Sequence, residues 1–486
     1  MESPVRGLQP KAVWEHFAQI AAVPRPSRKE QRIIEHVCRI AREHDLECVQ
    51  DPTGNVLVRK PSSPGRERAP CVALQAHLDM VCEKNSTSSH NFDTDGIILN
   101  RSDGYITANG TTLGADNGIG VASALSVMLD RSLEHGPLEF LFTVDEETGL
   151  TGAHGLTPGF LRSTILLNLD SEEDGALYIG CSGGRDTILH MAINRNPPGS
   201  GFGPVTLRVV GLRGGHSGLD IDRGRANAIQ LLGRALRFLD NTIEFDVARI
   251  EGGSKRNAIP RECSATLYVR EAELGNLRRE VERLGENVGA EVRKVDPGFV
   301  IEVARHESPI PSDVIEKQQM RTILRLLAAL PHGVIAMSPD IPGLVETSTN
   351  LATISMDEKE IMIGTSQRSS VASALEDIVQ RVVMTGELAG AESEQTDGYP
   401  GWEPNLDSRV LKVTKQIYSS MFGNEPEVKA IHAGLECGII GEKYPKIDMV
   451  SFGPTIENAH SPDERVEIAS VEKFWKLLVS VLKSLS

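Results

Sequence analysis

A histidine and several acidic residues stand where short apolar runs end, and a second histidine lies close to the C-terminus; these residue types suit hydrolysis by bound metal ions. The set comprises His77 and Asp79, Asp116, the adjacent pair Glu146 and Glu147, Asp170 and, later in the chain, His460. Imidazole and carboxylate groups are the usual protein ligands of zinc-type ions in hydrolases. A spare carboxylate beside a full ligand set can serve as a general base. The set therefore predicts a two-metal hydrolytic centre.

His77 and Asp79 are two positions apart, so their side chains point to the same side of an extended segment. His77 can then bind a metal through one ring nitrogen while Asp79 accepts a hydrogen bond from the other. Such a bond fixes the tautomer of a ligating histidine and raises its basicity. A structural His–Asp pair at the end of a strand is the alternative.

The other candidate ligands allow both functional and structural interpretations. Asp116 lies among glycines just ahead of a predicted helix, where it could bridge two cations or simply cap the helix. Glu146 and Glu147 repel each other unless a cation is near, so one can bind metal while the other holds a water. Asp170 is either a ligand or part of an acidic loop, and His460 in isolation is only a loop histidine.

The elements that must position these residues alternate between helical and strand-like patterns in the first part of the chain. Nearly continuous apolar runs at 71–74, 138–144 and 164–169 indicate strands that are buried on both faces. In open α/β sheets, ligands bind outside the carboxyl ends of the strands, and His77, Glu146 with Glu147, and Asp170 follow such ends. We therefore predict an α/β catalytic domain with a helix-covered, mostly parallel sheet.

Further along the chain, the pattern changes to the β-α-β-β-α-β order of a ferredoxin-like unit, followed by elements that suggest an enlarged or duplicated copy. Because His460 lies beyond this unit, the metal site closes only if the last part of the chain returns to the first domain. The polar stretch 386–404 is the expected linker. We expect a catalytic domain formed by 1–186 and 387–486, with an inserted α+β lid domain at 187–386.

Length and composition favour a two-domain enzyme of the cytoplasm. The 486 residues exceed the ~250–300 that usually share one core. The net charge of −16 argues against nucleic acid or an anionic membrane as a partner, and no apolar stretch reaches the ~20 residues that span a bilayer. The seven cysteines are scattered, and the polar N-terminus lacks the apolar core of a signal peptide.

Three strings, in this order, resemble the co-catalytic metallopeptidase family of aminoacylases, peptidase T and related di-zinc dipeptidases. They are Ala-His-Leu-Asp-Met-Val at 76–81, Gly-Thr-Thr-Leu-Gly-Ala-Asp-Asn-Gly-Ile-Gly at 110–120 and Asp-Glu-Glu-Thr-Gly at 145–149. The resemblance extends over essentially the whole chain. It implies a metallo-dipeptidase with two divalent ions per subunit, Zn²⁺ first and Co²⁺ or Mn²⁺ as alternatives.

Carried over by matching motif, the resemblance divides the ligands between two metal sites. One metal would be held by His77 and Asp170 and the other by Glu147 and His460, with Asp116 as the bridge. No ligand of the family pattern is missing, so an inactive homologue is not expected.

The resemblance gives further motif residues roles in the chemistry. Asp79 would orient His77, and Glu146 would be the general base that activates a water. His216, in a Gly-Gly-His-Ser-Gly stretch, would polarise the substrate carbonyl or the tetrahedral oxyanion, acting on a site of the other domain or subunit. Without the resemblance, His216 is an exposed histidine in a glycine-rich hairpin.

Three more residues are implied as substrate contacts. Asn257 could donate to the oxyanion, Arg368 could bind the C-terminal carboxylate bidentately, and Glu436 could meet the free ammonium. Without the resemblance, Arg368 is one of many surface arginines. The expected partners are small dipeptides, and the resemblance also implies a preference for Xaa-His dipeptides, including β-alanyl-histidine, and a homodimer that forms through the lid domain.

Two other functions fit the same sequence pattern. An aminoacylase or other N-acyl-amino-acid amidohydrolase would use the same metals without requiring a free substrate ammonium. A non-catalytic metal- or peptide-binding protein is the second alternative, and Glu146 beside a complete ligand set argues against it.

Overall fold

A computed structural model describes residues 3–306 and 312–486. The described chain divides into two compact units, and the first of them uses three separate stretches of sequence. The first unit comprises Met1–Gly180, Trp402–Ala430 and Leu435–Ser486, and the second comprises Cys181–Gly401 and Ile431–Gly434. Among the helices described in residues 3–306 and 312–486, none has the length and apolar composition of a membrane span.

Over the described residues, the first unit is built on an eight-stranded sheet with a parallel centre. Its spatial order is Glu47–Gln50, Val56–Lys60, Leu138–Thr143, Val72–His77, Ile165–Asn168, Asp448–Ser451, Ala176–Cys181 and Glu427–Ile431. The four strands from Leu138–Thr143 to Asp448–Ser451 run parallel, while the first two pair antiparallel. Leu138–Thr143 and Val72–His77 are buried throughout, as expected for strands covered on both faces.

Helices and a small second sheet complete the first unit. The helix Ala115–Leu129 is buried along almost its whole length because alanine, glycine, serine and aliphatic residues occupy all its faces, and it packs against Lys11–Ala21. The other helices are Gln31–Glu43, Thr151–Gly155, Arg409–Phe422, Glu436–Lys443 and Ile468–Ser484. The second sheet has the order Ile456–Glu457, Arg465–Glu467, Tyr105–Ala108 and Leu99–Ser102.

In the part of the chain that the structure describes, the second unit contains a nine-stranded sheet, and one half of it is ferredoxin-like. The spatial order of this half is Val300–Arg305, Phe202–Val210, Cys263–Arg270 and Phe245–Gly252. The helices Ala228–Leu239 and Leu274–Val292 complete the β-α-β-β-α-β order along the chain. The fourth strand lies beside the first, as in the ferredoxin-like unit that the sequence predicted. This prediction is confirmed.

The other half of the sheet repeats the same arrangement. Its spatial order is Val345–Met356, Glu360–Ser369, Gly183–Ala192 and Glu392–Gln395, with helices Lys317–Ala329 and Ala372–Leu388. Neighbouring strands are antiparallel and the last strand in the chain again lies beside the first. The ferredoxin-like unit is therefore duplicated, and one copy is inserted after the first strand of the other. Smaller pairings join Arg195–Asn196 to Val314–Ile315, Gly215–His216 to Ala258–Ile259, and Gly333–Met337 to the edge of Val345–Met356.

The polar stretch 386–404 is not simply a linker. The helix Ala372–Leu388 extends into it, and the strand Glu392–Gln395 pairs with Gly183–Ala192. All the residues of Glu392–Gln395 are exposed. A strand without a buried face has no alternation of apolar and polar residues, which is why its composition suggested a linker.

Candidate functional site

The candidate metal ligands of the first unit meet at the carboxyl ends of its parallel strands. His77 ends the strand Val72–His77, and Asp170 comes shortly after Ile165–Asn168. The adjacent strand of the sheet leads into Glu146. This common edge is where the rule for open α/β sheets places a ligand site.

Asp116 reaches the same edge from the start of the helix Ala115–Leu129. Its Oδ1 lies 3.0 Å from Nε2 of His77, and its Oδ2 lies 3.1 Å from Nε2 of His460. Gly114 occupies the cap position of the helix, where no side chain makes a capping hydrogen bond. The interpretation of Asp116 as a helix cap is therefore wrong, because each of its oxygens faces a histidine.

Two groups of possible ligand atoms share Asp116. His77, Asp116 and Asp170 offer atoms that all lie within 4.8 Å of one another, and so do Asp116, Glu147 and His460. Oδ1 of Asp170 is 3.3 Å from Nε2 of His77, and Oε2 of Glu147 is 3.1 Å from Nε2 of His460. The two groups have the composition that the resemblance implied for two metals with a common bridge.

The donor set fits divalent cations. Burial raises the pKa of Asp170 to about 6 although His77 pulls it down, and the negative charges of Asp116 and Glu147 add to the rise. Oε1 of Glu147 is buried and has no hydrogen-bond partner among the described residues. Buried carboxylates that repel one another are costly unless a cation compensates them. Histidine with carboxylate is a ligand combination of zinc sites, so these residues could hold two such ions.

Glu146 and Glu147 are oriented by Asp79. The backbone N–H groups of Glu146 and Glu147 donate to Oδ1 and Oδ2 of Asp79 at 3.0 and 3.2 Å. Asp79 Oδ1 is also 3.4 Å from Nδ1 of His77, which is longer than a normal hydrogen bond. Ser27 Oγ donates to Asp79 as well, at 2.8 Å. Asp79 therefore faces His77 and, in addition, fixes the backbone of the adjacent glutamates.

The burial of Glu146 and the negative charges around it suit a carboxylate that accepts a proton. Burial, together with the negative charges of Asp170, Glu436 and Glu147, raises the pKa of Glu146 well above its ordinary value, although His77 pulls it down. Carboxyl groups with raised pKa values are the ones that enzymes use to take up and return protons.

Glu436, the predicted partner of a substrate ammonium, has no exposed surface. Its Oε2 accepts hydrogen bonds from Nε2 of Gln75 at 2.6 Å and from Oγ1 of Thr143 at 2.7 Å. Burial raises its pKa to about 7. Its Oε1 is buried and has no hydrogen-bond partner among the described residues, so the ammonium contact of Glu436 stays a prediction. Glu436 also joins the side chains of two neighbouring parallel strands.

In the second unit, His216 is held in one tautomer. It pairs with Ala258 in a short two-stranded ladder, and the backbone N–H groups of Gly218 and Leu219 both donate to its Nδ1 at 3.1 Å. Burial, with the positive charge of Arg368, lowers the pKa of His216 to about 4. The ring is therefore neutral at pH 7 and carries its proton on Nε2, where it can act as a donor.

Arg368 is buried, with 7% of its surface exposed, so it is not one of the surface arginines. Its Nη1 donates to the Tyr399 hydroxyl at 2.7 Å and its Nε to Ser217 Oγ at 3.3 Å. No carboxylate in residues 3–306 or 312–486 forms an ion pair with it. A buried charge without a counter-charge is costly, so this guanidinium suits an anionic ligand. Asn257 is exposed, and its backbone carbonyl oxygen accepts a hydrogen bond from the backbone N–H of Ser217 at 2.9 Å.

Some residues near these clusters gave no sequence signal. Arg25 and Glu464 bind the backbone around the first unit's cluster, and Tyr399 orients Arg368. His432 faces Ser348 Oγ through Nε2 at 2.7 Å. These contacts join residues that are distant in sequence, so spacing could not reveal them. The nearest hint is that Glu464 follows His460 in the same loop.

The pattern of peptidase family M20/M25/M40 matches residues 73–484, a range that contains every candidate metal ligand. The chain belongs to peptidase family M20/M25/M40. This membership confirms the predicted family, and the mainly parallel sheet with its additional antiparallel sheets confirms the predicted fold class.

Members of this family with similar sequences include named dipeptidases. The cytosol non-specific dipeptidase of Escherichia coli K12 is 40% identical over 481 residues, which cover 98% of each chain. The solved structure of aminoacylhistidine dipeptidase from Vibrio alginolyticus is 39% identical, with a TM-score of 0.91 over 99% of this chain and 98% of that one. The aminopeptidase PepT of Bacillus cereus, at 16% identity and a TM-score of 0.57 over 98% and 99% of the two chains, shares the fold.

Proposed function

We propose that this M20 peptidase is a metallo-dipeptidase that hydrolyses dipeptides with a metal-activated water. The observation that carries the proposal is the pair of ligand groups with Asp116 in common and Glu146 beside them. The two relatives of about the same identity, from Escherichia coli and Vibrio alginolyticus, are both dipeptidases. An aminoacylase would share the metals, but no contact in the described residues favours it.

Each of the two groups of ligand atoms would hold one of the two cations. His77 and Asp170 would hold one cation, Glu147 and His460 the other, and Asp116 would bridge them. When bound, two divalent cations polarise the scissile carbonyl and lower the pKa of a water. Zn²⁺ suits these donors, and Co²⁺ and Mn²⁺ are accepted by the same residue types.

The chain's own side chains would move the protons and stabilise charge. Glu146 accepts a proton from the attacking water at a carboxylate oxygen and returns it to the leaving amine nitrogen. The backbone N–H of Glu146 donates a hydrogen bond to Asp79, and this bond keeps Glu146 in place. His216 donates its Nε2–H to the oxyanion of the tetrahedral intermediate, with Asn257 as a second donor.

Arg368 would bind the C-terminal carboxylate of the dipeptide through its guanidinium. Tyr399 and Ser217 hold two of its nitrogens, so the group is oriented before the substrate arrives. A dipeptidase that anchors this carboxylate would select short substrates. Desolvated charge pairs lose several kcal/mol when one partner is missing, so this selection should be sharp.

Assembly, location and substrate preference complete the proposal. The second unit would serve as a lid and dimerisation domain of a homodimer, as the family resemblance implies. A cytoplasmic location agrees with the cytosolic relative. A preference for Xaa-His dipeptides, including β-alanyl-histidine, rests on the aminoacylhistidine dipeptidase relative.

A substrate panel tests this function directly. We expect the Zn²⁺-loaded protein to cleave Ala-His, β-alanyl-histidine and Ala-Ala, because each presents a free carboxylate at dipeptide distance. N-acetyl-Ala-His and Ala-Ala-His should be cleaved much more slowly, as followed by amine release and chromatography of the products. Faster cleavage of the acetylated peptide would indicate an aminoacylase, and equal cleavage of the tripeptide would contradict the length selection. Cleavage of Ala-Ala alone would remove only the histidine preference.

Replacement of Arg368 by lysine tests the carboxylate contact. Lysine keeps the positive charge but loses the planar fork, so we expect KM for Ala-His to rise about tenfold, the scale of one hydrogen bond between charged groups. Amidation of the substrate carboxylate should weaken binding to the wild type by a larger factor than to the variant. If amidation costs both proteins the same factor, Arg368 does not contact that carboxylate.

A further inference from the structure

The carboxylate of Glu464 accepts hydrogen bonds from consecutive backbone N–H groups of the loop that carries Asp116. Leu113 and Gly114 donate to Oε2 at 2.7 and 3.0 Å, and Ala115 and Asp116 donate to Oε1 at 2.7 and 3.3 Å. Glu464 is buried, with 2% of its surface exposed. Hydrogen bonds to an ionised acceptor are roughly twice as strong as neutral ones, so a single side chain holds the N–H side of this loop.

Arg25 holds the carbonyl side of the same loop. Its Nη2 donates to the carbonyl oxygen of Gly114, and its Nη1 donates to the carbonyl oxygens of Leu78 and Asp79 at 2.9 and 2.6 Å. Leu78 and Asp79 directly follow the candidate ligand His77. Arg25 is also 2% exposed, and its guanidinium joins the segment after His77 to the loop of the candidate bridge.

Two glycines leave the space that this guanidinium occupies. A Cβ atom at Gly114 would lie 2.6 Å from Nη2 of Arg25, and one at Gly118 would lie 2.9 Å from the same atom. Gly114 also has a φ of +69°, where a residue with a Cβ is strained. The glycines around Asp116 are therefore needed, at least in part, to admit Arg25.

Arg25 and Glu464 stand outside the ligand groups that the described residues form, yet they fix the residue common to both groups. The two oxygens of Asp116 lie 3.0 Å from His77 Nε2 and 3.1 Å from His460 Nε2. A displacement of the loop would therefore disturb both groups of ligand atoms at the same time.

We propose that Arg25 and Glu464 are positioning residues that hold the Asp116 carboxylate, from opposite sides of its loop, in the place where it can bridge two cations. The inference rests on the proposed function, since it assigns the bridge to Asp116. It adds that the affinity for both cations depends on two buried, oppositely charged side chains that bind neither cation. Residues that orient metal ligands typically contribute 10–100-fold to metal affinity.

The test replaces each positioning residue and measures Zn²⁺ affinity of the full chain by competition with a chromophoric chelator. Glu464→Gln turns one acceptor oxygen into an NH₂ group that faces backbone donors, so we expect at least ~10-fold weaker Zn²⁺ binding at both sites. Arg25→Gln removes the guanidinium and should weaken binding by a similar factor. If Glu464→Gln does not fold, the Zn²⁺ affinities of Arg25→Gln and Glu464→Asp are measured instead.

Glu139→Gln is the matched control. Glu139 is also buried, and it accepts backbone N–H groups of Arg162 and Ser163 at 2.8 and 3.0 Å, but at the amino end of the strand Leu138–Thr143. The Glu139→Gln substitution should lower the melting temperature of the metal-free protein and leave its Zn²⁺ affinity unchanged.

The possible outcomes separate this inference from the proposed function. Wild-type Zn²⁺ affinity in the Glu464 and Arg25 variants would overturn the inference. An equal loss of affinity in Glu139→Gln would also overturn it, since the effect would then be general destabilisation. A wild-type protein that binds no Zn²⁺ would overturn the proposed function itself, whatever the variants do.

Discussion

Replacement of Glu146 by glutamine should lower kcat for Ala-His by at least ~10²-fold, the usual contribution of a general base, while both metals stay bound. The amide has nearly the shape of the carboxylate but cannot accept the proton of the attacking water. The two ligand groups that share Asp116 do not contain Glu146, so their donors stay in place. Steady-state kinetics test the expected fall in kcat. Mass spectrometry of the same preparation measures the metal content, which should stay at the wild-type value.

The neighbouring glutamate supplies the contrast for this experiment. Glu147→Gln should reduce the metal content, because Oε2 of Glu147 lies in a ligand group with His460. Both variants keep their backbone N–H groups, and therefore their hydrogen bonds to Asp79. If Glu146→Gln lost metal and Glu147→Gln kept it, the two roles would be exchanged. Normal turnover in Glu146→Gln would exclude it as the base.

Part of the metal cluster was predictable from sequence because His77, Glu147 and Asp170 lie at or shortly after the ends of buried strands. The apolar runs that end near His77 and Asp170 identify parallel strands, and parallel strands bring their carboxyl ends to one edge. The pattern around these runs is local, so it does not depend on how the rest of the chain folds. His460 could be added only through the family resemblance, since its loop reaches Asp116 from a distant part of the sequence.

Burial of single charged residues could not be predicted in the same way. Arg368 lies on a strand whose residues are buried almost throughout, and nothing in its neighbours indicates that its guanidinium lacks a carboxylate partner. Glu436 begins a helix, and the resemblance alone made it a substrate contact; the structure places its carboxylate against Gln75 and Thr143. Both outcomes depend on contacts between residues that are far apart in the chain.

The duplicated ferredoxin-like unit shows a related limit. Its first copy is continuous in sequence, so the order of its elements could be predicted. The other copy is interrupted. It begins with the strand Gly183–Ala192 and resumes only at the helix Lys317–Ala329, because the continuous copy is inserted between them. The strand Glu392–Gln395, which completes it, has only exposed residues. An interrupted unit with a polar last strand gives no periodic pattern to follow.

Replacement of His216 by alanine should lower kcat by about 10²–10³-fold, the usual effect of losing one oxyanion donor, with metal content unchanged. Donation by two backbone N–H groups to Nδ1 leaves the proton on Nε2, and burial with the charge of Arg368 keeps the ring neutral by lowering its pKa to about 4. The ring is thus prepared as a donor over the whole neutral pH range. KM should change much less than kcat, because the interaction forms mainly in the transition state.

His190→Ala is the matched control for this variant. His190 lies in the same unit, on the strand Gly183–Ala192, where its Nδ1 is 3.3 Å from Glu360. A partly exposed pair of this kind contributes little to stability, so kcat, KM and metal content should all stay at wild-type values. His216→Asn keeps an N–H donor in the side chain and should recover part of the activity that alanine loses. If His216→Ala turned over at the wild-type rate, the segment around His216 would be only a glycine-rich hairpin.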